Sequence, residues 1–302
     1  MQAPGSVLIE FIFLGLIVAG LAFFFFRSLF RSQTPPLPTT ERRFIDLDDC
    51  RVSYLREGRG PELVLLHGIG ASNYIWRFVR PLWISHFTIT AIDIPGFGFS
   101  SKDRGLNYGI DAQALRLVKF LDRLDVGKAT LVGSSMGGAI CLWAAKLYPE
   151  RFKKTVVLAP ATNPTLVPSI VALLPFFSFL HRAANRWTIR PFVSNAMTRT
   201  ELITPETLAA YSAPYQDPNS LHALYLATQT IRDPRLPQEL KTIKGPVLLM
   251  YGQKDKVVPE FYMKELRAIL PNVIYKAHPT AGHHPMEDEP EWVAKEVLAF
   301  LS

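Results

Sequence analysis

The stretch from Ala129 to Leu147 leaves a folding chain little choice. Ala129-Thr130-Leu131-Val132 runs into Gly133-Ser134-Ser135-Met136-Gly137, and a helical pattern of apolar residues follows over 139–147. A short apolar run before and a helical period after place a strand-to-helix turn at Ser135. Glycines two residues to either side fit that turn, because side chains there would clash in so tight a bend. The turn forces the serine into a strained backbone conformation and lifts its hydroxyl clear of the sheet. The helix starting behind it turns free N–H groups and its positive dipole end toward any negative charge that forms there. Ser135 is therefore a candidate nucleophile for acyl transfer. A glycine-rich turn that merely packs a helix on a sheet shows the same five residues, so the rest of the chain has to decide.

Short apolar segments at 63–66, 87–92, 129–132, 155–158, 247–251 and 273–275 read as strands, several apolar enough to be buried on both faces. Residues 43–47 and 52–56 alternate as a hairpin does, with a turn near Asp48-Asp49. Helical periods cover 112–124, with Leu115, Val118, Leu121 and Leu124 expected on one face, and 260–270 and 291–301. Strands alternating with helices imply an α/β fold whose mostly parallel sheet is covered on both faces. Reactive loops then gather at the carboxyl edge of that sheet. Residues 161–244 break the alternation. Several prolines, an apolar-aromatic run at 173–180 and the basic residues His181, Arg182, Arg186 and Arg190 read there as a helical insertion, packed inward or lying over the cleft as a lid that touches lipid.

The length of 302 residues allows one large α/β domain with an insertion, or two small domains. The net charge of +7 suits an anionic membrane surface. Its Lys and Arg residues are scattered, and no dense basic run argues for nucleic acid. Cys50 and Cys141 are too few for a disulfide framework, and no His, Cys and carboxylate cluster has zinc spacing. Neither a metal nor an organic cofactor is expected. Residues 7–26 are apolar apart from Glu10 and small residues, and about 20 residues at 1.5 Å each span a hydrocarbon core of about 30 Å. Positive charge follows this stretch instead of preceding it, as in an uncleaved anchor and unlike a signal peptide. The expected organisation is a transmembrane anchor over 1–31, a proline-containing linker over 32–42, and a domain over 43–302 with the insertion at about 161–244. Arg27, Arg31, Arg42 and Arg43 orient that domain toward the cytoplasm by the positive-inside bias.

A serine hydroxyl needs a base, and the base needs an orienting carboxylate. His283, in Ala281-Gly282-His283-His284-Pro285, follows the last strand, and Asp255 follows the strand ending at Tyr251. Both fall at carboxyl ends of parallel strands, the edge from which Ser135 emerges. His284 is an adjacent alternative to His283, and Asp93, Asp233 and Asp288 are weaker alternatives to Asp255. A tetrahedral intermediate also needs two N–H donors. Met136 offers one, and Ile69 in the loop His67-Gly68-Ile69-Gly70 offers the second. His67 itself reads as a hydrogen-bonding residue of that loop.

Taken together, His67-Gly68-Ile69-Gly70, Asp93-Ile94-Pro95-Gly96-Phe97-Gly98-Phe99-Ser100, Gly133-Ser134-Ser135-Met136-Gly137-Gly138, Tyr148-Pro149-Glu150-Arg151, residues 252–259 and Gly282-His283 resemble the α/β-hydrolase-fold serine hydrolases. The resemblance runs in family order from about residue 43 to the end. It implies a mostly parallel eight-stranded sheet with a helical cap, Ser135 as nucleophile, Asp255 as acid, His283 as base, and Ile69 and Met136 as oxyanion donors. Relatives with aspartate as nucleophile include dehalogenases and epoxide hydrolases, so Ser135 argues for ester-type substrates. Anchor plus cap resembles membrane-associated, monoacylglycerol-lipase-like esterases in architecture. The expected function is hydrolysis of a carboxylic ester, small or acyl-lipid. Carbon–carbon or thioester cleavage by the same triad, and a catalytically silent ligand-binding member of the fold, are the alternatives.

Overall fold

The computed structural model describes residues 42–167 and 188–302. Among these, eight strands form one sheet: β1 (Arg43–Asp46), β2 (Arg51–Gly58), β3 (Glu62–Leu66), β4 (Thr88–Ile92), β5 (Thr130–Ser134), β6 (Thr155–Leu158), β7 (Val247–Gly252) and β8 (Val273–His278). Their order is β1-β2-β4-β3-β5-β6-β7-β8. β1 pairs antiparallel with β2, and β2 with β4, while every later pairing is parallel. The β1–β2 hairpin turns where Asp48-Asp49 predicts it, closed by the Leu47 N–H donating to the Cys50 carbonyl at 2.8 Å.

The longer described helices are α1 (Ile110–Arg123), α2 (Met136–Leu147), α3 (Arg190–Ala196), α4 (Pro205–Ser212), α5 (Ser220–Ile231), α6 (Glu260–Ile269) and α7 (Pro290–Leu301). Side chains alternate across a strand, so each central strand feeds two cores. Val64 and Leu66 of β3 pack on one face with Leu121 of α1, Ile140 of α2 and Met263 of α6. Leu63 and Leu65 pack on the other with Trp76, Trp83 and Val293 of α7. β7 divides likewise, Leu249 and Tyr251 to the first core and Leu248 and Met250 to the second. That two-sided burial is why these strands lack the polar alternation of β1. α1 buries Ile110, Ala114, Leu117, Val118 and Leu121. Leu115, expected on this face, is 45% exposed, because the buried stripe runs through 114, 117, 118 and 121 at helical spacing and passes it by.

Between β6 and β7 the described chain is helical, and α5 packs against α1 and α2. The apolar run at 173–180, with His181, Arg182 and Arg186, lies outside the described residues, as do the expected anchor over 1–31 and all but the last residue of the linker. The expectation of a single-pass membrane protein with a cytoplasmic catalytic domain is corrected. Among the described residues no helix is long and apolar enough to cross a membrane. The longest of them, α1, has 14 residues. That is about 21 Å at 1.5 Å per residue, short of a hydrocarbon core of about 30 Å.

Candidate active site

β5 ends at Ser134 and α2 begins at Met136, so Ser135 makes the turn alone, at φ 52° and ψ −120°. A non-glycine residue held there costs about 1–3 kcal/mol and persists only when its surroundings fix it. They do. The Ser135 N–H donates to the Leu158 carbonyl at the end of β6 at 2.9 Å, and its carbonyl accepts from Ala139 at 3.1 Å and Ala161 at 3.0 Å. A Cβ on Gly133 would stand 2.4 Å from the Gly137 carbonyl oxygen, and one on Gly137 would stand 2.4 Å from the backbone oxygens of Leu66 and His67. The two glycines therefore let strand, helix and neighbouring loop meet. The Met136 N–H lies in the first turn of α2, whose amides have no partner within the helix.

Asp255 and His283 come from the loops after β7 and β8. These loops are stitched together by Gln253 donating to the His278 carbonyl and Lys254 to the Ala281 carbonyl, both at 2.9 Å. The result is a hydrogen bond of 2.8 Å between His283 Nδ1 and Asp255 Oδ2. Asp255 Oδ1 accepts the N–H groups of Val257 at 2.7 Å and Val258 at 2.9 Å, which fixes the carboxylate plane. Its side chain is wholly buried and that of His283 is 5% exposed. With Nδ1 donating to the carboxylate, a neutral His283 carries its lone pair on Nε2.

His284 forms a second histidine–carboxylate pair beside the first. Its Nδ1 lies 2.6 Å from Glu287 Oε2, and the Tyr211 hydroxyl donates to the same oxygen at 2.5 Å. Arg77 Nη1 pairs with Glu287 Oε1. Burial pushes the Glu287 carboxyl up, yet the His284 bond, the Arg77 charge and the Tyr211 hydroxyl together hold it below its ordinary value. Sequence reasoning singled out His284 but not its partners. The i, i+3 spacing of His284 and Glu287 was the one local signal, and Arg77 and Tyr211 arrive from elsewhere in the chain.

Ser135, His283 and His284 line one cavity of about 290 Å³, together with Gly68, Ile69 and residues of α3. Phe192 of α3 and Val257 of the Asp255 loop also line it and are 40% and 45% exposed. The other titratable candidates have structural partners. His67 is fully buried, donates from Nδ1 to the Gly68 carbonyl at 2.7 Å and accepts the Ile94 N–H on Nε2 at 2.9 Å. Both ring nitrogens are used, and burial pushes its pKa down, so it stays neutral and shapes the Gly68–Ile69 loop. Asp93 accepts from the Ser53 hydroxyl and from the Asn73 and Phe99 N–H groups. Asp288 accepts from the N–H groups of Gly282, Thr198 and Arg199, tying the segment after α3 to the His283 loop. Asp233 pairs with Arg235. Cys141 is buried in α2, which pushes its thiol up.

The family model described as the alpha/beta hydrolase fold matches residues 61–290. An uncharacterized hydrolase of Bacillus subtilis (strain 168), YugF, is 32% identical over 257 residues, covering 82% of this chain and 92% of its own. The 2-hydroxy-6-oxo-6-phenylhexa-2,4-dienoate hydrolase of Burkholderia cepacia is 28% identical, over 87% of this chain and 97% of its own. Among solved structures, a membrane phospholipase A described as a novel bacterial virulence factor superposes with a TM-score of 0.71 at 25% identity, covering 98% of either chain. The family match begins just before β3 and ends on the first residue of α7, taking in every parallel strand and the serine turn, and the chain accordingly belongs to the α/β-hydrolase fold family.

Proposed function

We propose that this hydrolase cleaves carboxylic esters through an acyl-enzyme on Ser135, with His283 as base and Asp255 as its orienting acid. The observation that carries this reading is that Ser135, on its strained turn, and the Asp255-bound ring of His283 open onto one cavity. His283 Nε2 takes the serine proton as Oγ attacks the carbonyl carbon. The N–H groups of Met136 and Ile69 receive the oxyanion. His283 then protonates the departing alcohol, and a water activated by the same ring releases the acid.

The two histidines are separated by charge. A base must become an imidazolium during attack, and a nearby carboxylate has to be free to stabilise it. Among the described residues Asp255 is paired with no cation other than His283 itself, whereas Glu287 is already neutralised by Arg77. This difference in pairing supports His283, and not His284, as the base. The apolar side chains of Phe192 and Val257 at the cavity, and the likeness to a structure described as a phospholipase A, favour esters with an acyl chain. The likeness to a dienoate hydrolase supports a second reading, carbon–carbon cleavage by the same three residues.

The test is turnover of p-nitrophenyl esters of increasing acyl length by wild-type and Ser135→Ala protein. Turnover rising beyond acetate, with loss of about 10³-fold or more on substitution, is expected. Turnover retained by a clean Ser135→Ala preparation would overturn the mechanism, and activity confined to acetate would overturn the acyl-chain preference.

A further inference from the structure

In the insertion, α4 carries Tyr211 and runs directly into a 3₁₀ turn over Ala213–Gln216, which carries Tyr215. The two tyrosines are four residues apart, and both rings pack in the second core. From this one stretch the Tyr211 hydroxyl reaches Glu287 beside the His283 loop. The Tyr215 hydroxyl donates to the Gly70 carbonyl at 2.9 Å, across 145 positions of sequence. A carbonyl oxygen only accepts, so the hydroxyl is the donor, and burial pushes its pKa up and keeps the proton on it.

Gly70 is the third residue of a tight turn, Gly68-Ile69-Gly70-Ala71, closed by the Ala71 N–H donating to the Gly68 carbonyl at 3.3 Å. Its φ of 73° suits glycine at that place, and a Cβ there would stand 2.8 Å from the Tyr215 hydroxyl. Each peptide unit is planar and trans, so its C=O and N–H point in opposite directions. Holding the Gly70 oxygen therefore aims the Ala71 N–H at the Gly68 oxygen. Holding the Gly68 oxygen in turn aims the Ile69 N–H the other way. This second peptide plane lies against the nucleophile: a Cβ on Gly68 would stand 3.0 Å from Ser135 Cβ, and Gly68, Ile69 and Ser135 line one cavity. Two rigid planes thus connect the tyrosine hydroxyl to the amide that receives the oxyanion in the mechanism above. His67 Nδ1 holds the Gly68 oxygen independently at 2.7 Å. The Ala71–Gly68 bond is the longest link, just beyond the usual range of about 2.7–3.2 Å, and it is the one that depends on Tyr215.

We infer that Tyr215 is a positioning residue, supplied by the insertion, that sets the direction of the Ile69 N–H and so completes the oxyanion site. This rests on the ester reading above. Without the hydroxyl the buried Gly70 carbonyl loses this partner, and its peptide plane turns to find another. The Ile69 N–H then leaves the line the oxyanion needs. Deleting an oxyanion donor outright costs about 10²–10³-fold in kcat. Here the donor remains and His67 still holds its plane, so the expected loss is that of one hydrogen bond, about tenfold.

The experiment measures kcat and KM for p-nitrophenyl butyrate, and inhibition by an alkyl trifluoromethyl ketone, in wild-type and Tyr215→Phe protein. Ser135 Oγ adds to the ketone carbon, its proton passes to His283, and the ketone oxygen becomes an oxyanion that needs the same two donors. Tyr215→Phe should lower kcat about tenfold with KM held within about twofold, and should weaken the ketone about tenfold. Phenylalanine keeps the ring in the core, so a role in packing alone leaves kcat and ketone affinity as in wild type. That result, or a rise in KM alone, overturns the inference and leaves ester hydrolysis standing. Tyr215→Met removes the same hydroxyl with a side chain that adapts to the gap, and decides in the same way where the phenylalanine variant does not fold. Wild type that turns over no ester overturns the ester reading instead. Ketone affinity then decides the inference, and equal affinities, or no binding to wild type, refute it.

Discussion

At Ser135 the backbone and the chemistry make the same demand. A residue at φ 52° followed at once by a helix presents its side chain at the sheet edge, where the proposed mechanism has the Met136 amide meet the oxyanion. The motif made this position legible, because glycines at 133 and 137 and the flanking strand and helix are all local. Asp255 and His283 were legible for another reason, since each follows a strand that must run parallel to β5, and their loops therefore emerge at the same edge. The Arg77–Glu287–His284–Tyr211 set was not legible, as Arg77 and Glu287 are 210 positions apart and pair only once the fold is complete. Two predictions belong to this scale. Asp255→Asn removes the carboxylate charge that orients and stabilises the His283 ring, and esterase kcat should fall by about 10³-fold or more in steady-state assays. His67→Ala leaves the Ile94 N–H without a partner inside the core, while the Gly68 carbonyl keeps only the Ala71 N–H. Urea unfolding should show a loss of about 1–3 kcal/mol for the group left unpaired.

At the scale of elements, two contacts do work that no periodicity announces. Gly137 lets α2 start directly against the loop after β3. A methyl group there meets two backbone oxygens that cannot rotate away. Gly137→Ala should destabilise by about 1–3 kcal/mol, seen as a lowered melting temperature, with ester turnover falling as the turn and the loop carrying Ile69 are pushed apart. Asp288 entered as a weaker candidate for the acid. Its carboxylate instead accepts three backbone N–H groups and so joins the segment after α3 to the His283 loop. Helix positions were read well where the apolar stripe was continuous, as in α7. The Leu115 misassignment in α1 shows the limit of that reading. Leu115 and Leu117 sit on different faces, and packing against α2 selects which of them is buried.

The described residues are organised by a sheet with two cores, and its parallel run follows from strands apolar on both faces alternating with helices, whereas the exchange of β3 and β4 in the strand order does not. The β1–β2 hairpin and the parallel run were therefore open to sequence reasoning, whereas the register and the route that brings Arg77, Tyr211 and the His283 loop together were set by packing over long separations. That convergence makes Glu287 a global support. Its carboxyl lies below the ordinary value in the fold, so its contribution is fully present above the usual carboxylate range near 4.3 and is lost as pH falls through the folded-state value. Glu287→Gln, which leaves Arg77 without its partner, should lower stability by about 3–5 kcal/mol at pH 7 in denaturant unfolding, and the gap to wild type should narrow in that acid range. The central claim, that Ser135 is an activated nucleophile served by His283, meets its most direct test in labelling of the folded protein by a fluorophosphonate followed by peptide mass mapping. One adduct on Ser135, absent from Ser135→Ala and formed far more slowly by His283→Ala than by His284→Ala, is predicted. Folded protein that takes up no label, or takes it up on another residue, would contradict it.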